Sequence, residues 1–249
     1  MLTDTYFTEH IKDISDRSYS TGVSGFSAFL TPEEQNAVES IKKELISFEL
    51  FGGHEGCERK IARFGSERDA DVVLPYPIAV IKVQPLNEKF SDELTHRDFL
   101  GALMNLGIDR SNTGDIILRD KTAYVFVLND MSQYICENLT KVKHTSVFCE
   151  LCDSVPEGEL FRTEQKSVIV ASMRLDCIIS AALNISRSKS EKLFAEKKIF
   201  VDSVLTENTS FAPHEGSVIS IRGAGRFKLL EVSGNTKKGR IVLNIAKYI

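Results

Sequence analysis

The chain has 249 residues, of which 42% are hydrophobic and 27% charged, and its formal net charge is −4 at pH 7. These values are typical of a globular protein with enough chain for one domain or for two to three small ones. No apolar run is long enough to span a membrane, and Met1–Tyr6 lacks the basic start and apolar run of a secretion signal. The five cysteines, an odd number, indicate reduced thiols. We therefore expect a cytoplasmic protein without a membrane partner.

The charge is unevenly distributed along the chain. From Ser172 to Ile249 there are 13 Lys and Arg against 7 Asp and Glu, which leaves 18 of the 31 basic and 28 of the 35 acidic residues for the rest. A basic C-terminal third on an acidic body indicates a module that binds nucleic acid, attached to a body that would repel phosphate. A chance gradient of solvated charge is the alternative that composition alone leaves open.

Residues 1–70 are predicted to be a mainly helical N-terminal region. Thr31-Pro32-Glu33-Glu34 combines an N-cap, a proline at the first helical position and a glutamate at the third, so it predicts a helix start. The apolar positions from Val38 to Phe48 predict that this helix continues to Gly52-Gly53. Arg59, Lys60 and Arg63 follow; they could contact RNA, but we favour a solvated face.

Residues 71–172 are predicted to form a ferredoxin-like middle domain. The pattern gives strands, helices and a hairpin in the order β-α-β-β-α-β, the topology that the RNA recognition motif also has. Tyr124 and Phe126 alternate on one strand as stacking aromatics would, but we favour core packing because the rest of that motif's signature is missing. Fold alone does not give function.

Two polar motifs in the middle region are candidates for a site. His96-Arg97-Asp98 occupies consecutive positions of a first helical turn, so its side chains diverge; we interpret it as structural or RNA-facing and single out Arg97 and Arg110 as contacts to test. Cys149-Glu150-Leu151-Cys152 lacks the second ligand pair of a zinc site, and on a strand its cysteines point to opposite faces. We therefore predict neither a metal site nor a cofactor.

The last third, residues 173–249, contains the clearest pattern in the chain. Leu175, Ile178 and Ile179 begin an apolar helical stripe, and Asn184 suits the left-handed residue that ends such a helix. Ser186 is predicted to cap a second helix, with a further capping box at Ser188 and Glu191. Arg187 and Lys189 then lie at a helix N-terminus, where free backbone N–H groups favour a phosphate.

Short strands follow the two helices. Ile199–Val204 and Ser217–Arg222 alternate in hydrophobicity, with Pro213–Gly216 as the turn between them. This helix–turn–helix and strand arrangement, with Arg174-Leu175-Asp176 at its start and Ser186-Arg187 at the second helix, resembles the RNA-binding domain named after ribosomal small-subunit protein four.

The wider chain resembles the YlmH-type RNA-binding proteins of bacteria. The matching segments are Gly52-Gly53, Glu58-Arg59, Leu94–Ile108, Gly114–Ile117, Arg222–Lys228 and Thr236–Arg240. The resemblance implies a factor that acts on ribosomal RNA, on a large subunit carrying a stalled peptidyl-tRNA, in ribosome-associated quality control.

An enzymatic function is the main alternative to this interpretation. Arg174-Leu175-Asp176 mimics the run that carries the catalytic aspartate of pseudouridine synthases, but those enzymes have a larger catalytic domain beyond the RNA module. No P-loop, dinucleotide fingerprint or Ser/His/Asp set is present. An RNA-modifying enzyme with an unrecognised site, or an adaptor whose acidic body docks on a ribosomal protein, remain the alternatives.

The sequence thus predicts a monomeric, non-catalytic α+β protein in three parts. Its partners are structured RNA (ribosomal RNA and possibly tRNA) and the large ribosomal subunit. The predicted RNA-binding residues are basic and lie in the last third of the chain: Arg174, Arg187, Lys189, Lys192, Lys197, Arg222, Arg226 and Lys228.

Overall fold

A computed structural model describes residues 2–54, 56–66, 69–152, 163–202 and 204–248. The chain divides into two compact units, Met1–Leu160 and Phe161–Ile249. The described residues form six α-helices and fourteen β-strands in antiparallel sheets, which confirms the predicted α+β class. The division into three parts at residues 70 and 172 stays a prediction.

The first unit begins with two helices and a small sheet. These elements are α1 (Leu2–Thr21), β1 (Gly25–Phe26), α2 (Pro32–Ser40), β2 (Phe48–Phe51) and β3 (Ile61–Phe64). The strands pair in the order β1-β3-β2. Ile11, Val38 and Phe64 are fully buried and form the centre of this core.

The α2 helix starts as predicted and ends earlier than predicted. The Thr31 hydroxyl accepts from the Glu34 N–H, and the Glu34 carboxylate accepts from the Thr31 N–H at 2.6 Å, which is a complete capping box. The helix ends at Ser40, however, so its predicted continuation to Gly52 is wrong. Phe48–Phe51 instead forms a strand that pairs with Ile61–Phe64. Pairing with this distant strand outweighs the helical preference of the segment, and the spacing of apolar residues gives no sign of such a partner.

The middle of the first unit has the predicted β-α-β-β-α-β order. Its elements are β4 (Ile78–Pro85), α3 (His96–Asn105), β5 (Thr113–Arg119), β6 (Thr122–Leu128), α4 (Asn129–Asn138), β7 (Lys141–Val142) and β8 (Thr145–Cys152). The sheet order is β5-β6-β4-β8-β7, in which β7 adds a short edge hairpin. Phe99 and Leu103 of α3 and Ile135 of α4 pack on Ile81 and Val125, so both helices cover one face of the sheet.

Gly53 provides a direct test of the packing inside this unit. Its φ is +96°, and a Cβ there would lie 2.5 Å from Cδ1 of Phe126. We expect Gly53→Ala to lower the free energy of unfolding by about 2 kcal/mol or more, because both the backbone and the ring would be strained. Gly101→Ala is the control, since a Cβ at Gly101 meets no atom within 4 Å. Urea unfolding of both variants makes the comparison, and equal stability would contradict the close packing of Gly53 on Phe126.

The second unit is a six-stranded sheet with two helices. Its elements are β9 (Thr163–Val170), α5 (Leu175–Leu183), α6 (Arg187–Ala195), β10 (Ile199–Val201), β11 (Val204–Leu205), β12 (Val218–Ile221), β13 (Gly225–Asn235) and β14 (Ile241–Tyr248). The strand order is β11-β10-β12-β13-β14-β9. The predicted strand Ile199–Val204 is therefore two short paired strands. The predicted strand near Ser167 pairs with β14 of this sheet.

The predicted apolar stripe of α5 faces this sheet. Leu175, Ile178 and Ile179 are fully buried and belong to one core with Phe227 and Leu229 of β13. Because side chains alternate along a strand, the residues between these core positions point to the opposite face of the sheet. We call that opposite face the outer face.

Candidate nucleic-acid interface

The α5–α6 junction has the predicted cap residues. Asn184 adopts the left-handed conformation with φ of 53°, and the Ser186 hydroxyl accepts from the Lys189 N–H. The second capping box, at Ser188 and Glu191, is wrong, because α6 already begins at Arg187 and Lys189 is its third residue. The first turn of α6 therefore displays Arg187 and Lys189 where the sequence placed them.

A buried carboxylate joins the starts of the two helices. The Asp176 side chain is only 1% exposed and accepts from Nε and Nη2 of Arg174, both at 3.0 Å. Nη2 of Arg187 approaches Oδ2 of Asp176 at 3.0 Å. The Arg174 guanidinium, with help from the Cys177 N–H and from Arg187, holds the pKa of Asp176 below its usual range. We call Arg174, Asp176 and Arg187 the Asp176 cluster.

The Asp176 cluster orders two cations without covering them. The Arg187 side chain is 63% exposed and that of Arg174 is 38% exposed, so part of each side chain remains accessible to solvent. The Ser190 hydroxyl donates to the Asp176 carbonyl at 3.3 Å and so ties α6 to α5. Because the Asp176 carboxylate fixes Arg174 through both of its oxygens and Arg187 through Oδ2, the remaining donors of the two guanidinium groups are preorganised to bind a phosphate.

The other predicted cations near α6 are exposed. Lys192 and Lys197 form surface ion pairs, with Glu196 at 3.8 Å and with Glu207 at 2.8 Å. Such exposed pairs contribute little stability. Lys189 is exposed and has no carboxylate partner within the part of the chain that the structure describes.

The last three predicted RNA-binding residues, Arg222, Arg226 and Lys228, lie in β13 or between β12 and β13. Arg226 and Lys228 alternate with the core residue Phe227, so they lie on the outer face. The guanidinium carbon of Arg222 is 4.6 Å from the ring centroid of Phe200, and that of Arg226 is 3.9 Å from the ring centroid of Tyr248. The eight predicted residues thus form two groups, one at the helices and one on the outer face.

The aromatic pair of the middle region is part of the core, as we favoured. Phe126 is fully buried and Tyr124 is 7% exposed, so neither ring is open to a base. Cys149 and Cys152 both lie on β8, and Cys149 is buried. Among the described residues there is no group of three or more His, Cys, Asp or Glu side chains placed to hold a metal ion.

Arg59 and Arg110 have roles that the sequence did not reveal. Arg59 is buried and donates to the carbonyls of Phe29, Thr113 and Arg110, so neither the solvated face nor the RNA contact considered for it is correct. Arg110 donates from Nη1 to the Thr113 and Gly114 carbonyls, and burial lowers its pKa to about 10. Both arginines therefore serve the fold.

Three comparisons relate the chain to known proteins. Residues 75–154 match the family model described as the putative RNA-binding domain in YlmH. The "Ribosome-associated protein quality control protein P2" of Bacillus subtilis (strain 168) is 29% identical over 220 residues, which is 85% of this chain and 82% of that protein. The resemblance to YlmH-type proteins is confirmed. The "Cell division protein ylmH from Streptococcus pneumoniae" is a solved structure with 18% identity and a TM-score of 0.49, over 61% of this chain and 92% of that one.

The residues that match the YlmH RNA-binding domain model coincide with the ferredoxin-like part of the first unit, from β4 to β8. This segment contains Arg97 and Arg110, and it ends before Arg174 and the other predicted contacts. The domain-level resemblance of residues 173–249 to the ribosomal protein four module therefore stays a prediction. No helix in the described parts of the chain is long and apolar enough to cross a membrane.

Proposed function

We propose that this chain is a non-catalytic, cytoplasmic RNA-binding protein that acts as a monomer on the large ribosomal subunit. Its ligand is structured ribosomal RNA, on a subunit that carries a stalled peptidyl-tRNA. The match to a YlmH RNA-binding domain and the similarity to a relative named for ribosome-associated quality control support this proposal. The observation that carries it is the Asp176 cluster, which holds Arg174 at the start of α5 and Arg187 at the start of α6.

The chemistry of the cluster fits a phosphate backbone. The first backbone N–H groups of a helix and its dipole favour an anion, and Arg187 and Lys189 add two side-chain cations at the same place. Such contacts fix the position of the protein on a folded RNA but do not distinguish one base sequence from another. We therefore expect shape-dependent binding whose affinity falls steeply with salt.

The burial of Asp176 favours a binding protein over a pseudouridine synthase-like enzyme. A nucleophilic aspartate must reach its substrate, whereas the Asp176 side chain is 1% exposed and already pairs with two arginines. Its oxygens are used to position the cations.

Sedimentation on a sucrose gradient tests the proposal. Full-length tagged protein in cell extract should migrate with large subunits, and Arg187→Glu with Lys189→Glu should move it to the free-protein fractions, because two phosphate contacts become repulsive. The matched control is Arg17→Glu with Lys43→Glu, which makes the same charge change at exposed residues of the first unit. Free migration of the unmodified protein, or equal behaviour of both double variants, would contradict the proposal.

A further inference from the structure

A groove of about 500 Å³ runs along α3 in the YlmH RNA-binding domain, on the side of the helices. One wall is α3, with Arg97, Gly101 and Asn105 at spacings of four residues. The other wall is the end of α4 and the β7–β8 hairpin, with Asn138 in α4, Lys141 in β7 and Lys143 in the turn. The groove lies wholly within residues 97–143, and therefore within the first unit.

The groove is basic although the first two thirds of the chain are acidic. Its lining contains three cations, Arg97, Lys141 and Lys143, and a single carboxylate, that of Asp98. Lys143 pairs with Asp98 at 2.8 Å and remains 49% exposed. Arg97 and Lys141 are exposed, and no described carboxylate pairs with either of them. Two unneutralised cations face one groove.

Gly101 indicates that the groove is kept open for a ligand. It lies in the middle of α3, where glycine is less favourable than alanine because it exposes the backbone and loses more entropy on folding. A Cβ at this position would meet nothing within 4 Å, so no packing contact in the described structure requires a glycine. A missing side chain in such a place permits a close approach of a bound molecule to the helix.

The opposite face of the same sheet is less suited to nucleic acid. On β6, one of its central strands, the aromatic side chains Tyr124 and Phe126 are buried, and Lys82 is neutralised by Glu150 at 2.9 Å. Phe148 of β8 also lies on this face and is 49% exposed, but base recognition on a sheet uses several open rings on its central strands. The helix-side groove is thus the better surface of the domain for a phosphate backbone.

We propose that this groove is a second RNA-binding site, separate from the Asp176 cluster. Arg97, Lys141 and Lys143 bind consecutive phosphates of a single-stranded segment. Gly101 lets the strand lie against α3. The side-chain amide of Asn105 offers hydrogen bonds to ribose hydroxyls or base edges, as does Oδ1 of Asn138, whose Nδ2 already donates to the Tyr134 carbonyl at 2.8 Å.

The charge part of the proposal is tested by fluorescence anisotropy with a labelled 20-nucleotide poly(U) strand and the full chain. Arg97→Gln with Lys141→Gln should weaken binding about tenfold at 0.1 M salt and reduce the slope of log K against log salt by about 0.7 for each phosphate that is no longer neutralised. Arg17→Gln with Lys43→Gln removes the same charge from exposed positions of the same unit and should change neither quantity. Equal effects of the two double variants would overturn the groove proposal.

The shape part is tested by Gly101→Gln, which leaves the charge unchanged. The open space at Gly101 accommodates the side chain, so the melting temperature should be preserved or raised. Binding of the poly(U) strand should weaken several-fold because the side chain occupies the groove. A folded variant with unchanged affinity would contradict the proposal.

The two RNA sites are separated by combining variants. Arg187→Glu with Lys189→Glu should leave residual poly(U) binding that the groove variant then abolishes. If the groove variant has no effect while the α6 variant abolishes binding, the groove proposal is wrong and the proposed function stands. If the groove variant releases the protein from large subunits with unchanged RNA affinity, the partner is a ribosomal protein and the RNA assignment is wrong.

Discussion

Asp176→Asn should lower both the stability of the second unit and the affinity of the protein for RNA, although the Asp176 side chain is buried. Asparagine keeps the shape and an oxygen for the Cys177 N–H, but it removes the charge that holds Arg174 and Arg187. Breaking a fully buried pair costs about 3–5 kcal/mol, and because both arginines are partly exposed we expect about 2 kcal/mol. RNA affinity should fall because the two guanidinium groups lose their fixed positions.

The free energy that Asp176 contributes to folding should depend on pH. The Arg174 guanidinium depresses the pKa of Asp176 in the folded state. Its contribution is therefore fully present above the unfolded-state pKa of about 3.9 and is lost as the pH falls through the lower folded-state value. The stability difference between the wild type and Asp176→Asn should accordingly be present at pH 7 and shrink in acid, below about pH 4.

Hydrogen–deuterium exchange of peptides from residues 163–202 and 204–248 measures the loss of stability caused by Asp176→Asn in the second unit alone. Glu191→Gln is the control, because it removes only an exposed partner of Arg187 at 3.6 Å, an interaction of about 0.3–0.5 kcal/mol. Faster exchange in Asp176→Asn at pH 7, with little change in Glu191→Gln, is the expected result. Equal exchange in the two variants at neutral pH would show that Asp176 does not organise the helix starts.

Arg59→Ala should destabilise the first unit by about 3 kcal/mol or more. The Arg59 guanidinium donates to Phe29 O at 2.7 Å, to Thr113 O at 2.9 Å and to Arg110 O at 3.1 Å. All three bonds would be lost, and the Phe29 carbonyl would be left without this donor, which costs about 1–3 kcal/mol in a buried position; the Thr113 and Arg110 carbonyls keep bonds from Arg110 Nη1 and from the Thr113 hydroxyl. These bonds connect the N-terminal segments to β5, so their removal should loosen both.

Arg59→Lys should also destabilise the first unit, because a single ammonium group cannot reach three carbonyls that lie in different directions. Arg17→Ala, at an exposed position of α1, should change stability by no more than about 0.5 kcal/mol. Urea unfolding of Arg59→Ala, Arg59→Lys and Arg17→Ala measures the difference. A lysine variant as stable as the wild type would show that the fork geometry is unimportant.

The sequence predicted the local structure correctly wherever adjacent residues determine the backbone conformation. The capping box at Thr31, the left-handed Asn184 and the cap at Ser186 each depend on a side chain that bonds to, or permits, its own turn. The β-α-β-β-α-β order followed from hydrophobic periodicity in the same way. The failure at Phe48–Phe51 arose because a partner strand in β3 decides that segment.

The candidate site was predicted in part for the same reason. Arg187 and Lys189 were found because their position relative to Ser186 is local. The separation of Arg226 and Lys228 from them was missed, because it depends on which face of β13 packs against α5. No local pattern marks Gly101 and Lys141 as neighbours of one groove, since they lie forty residues apart.

The amino-acid sequence by itself determined the class of the fold, the caps at Thr31, Asn184 and Ser186, the β-α-β-β-α-β order of the middle region, the basic character of the last third and the resemblance to YlmH-type proteins. The tertiary structure decided what the polar residues do. It buried Asp176 between two arginines, and it buried Arg59 among three carbonyls. The physical reason is that burial and hydrogen bonding of a charged group depend on segments distant in the chain, whereas turns and periodicity are set by adjacent residues.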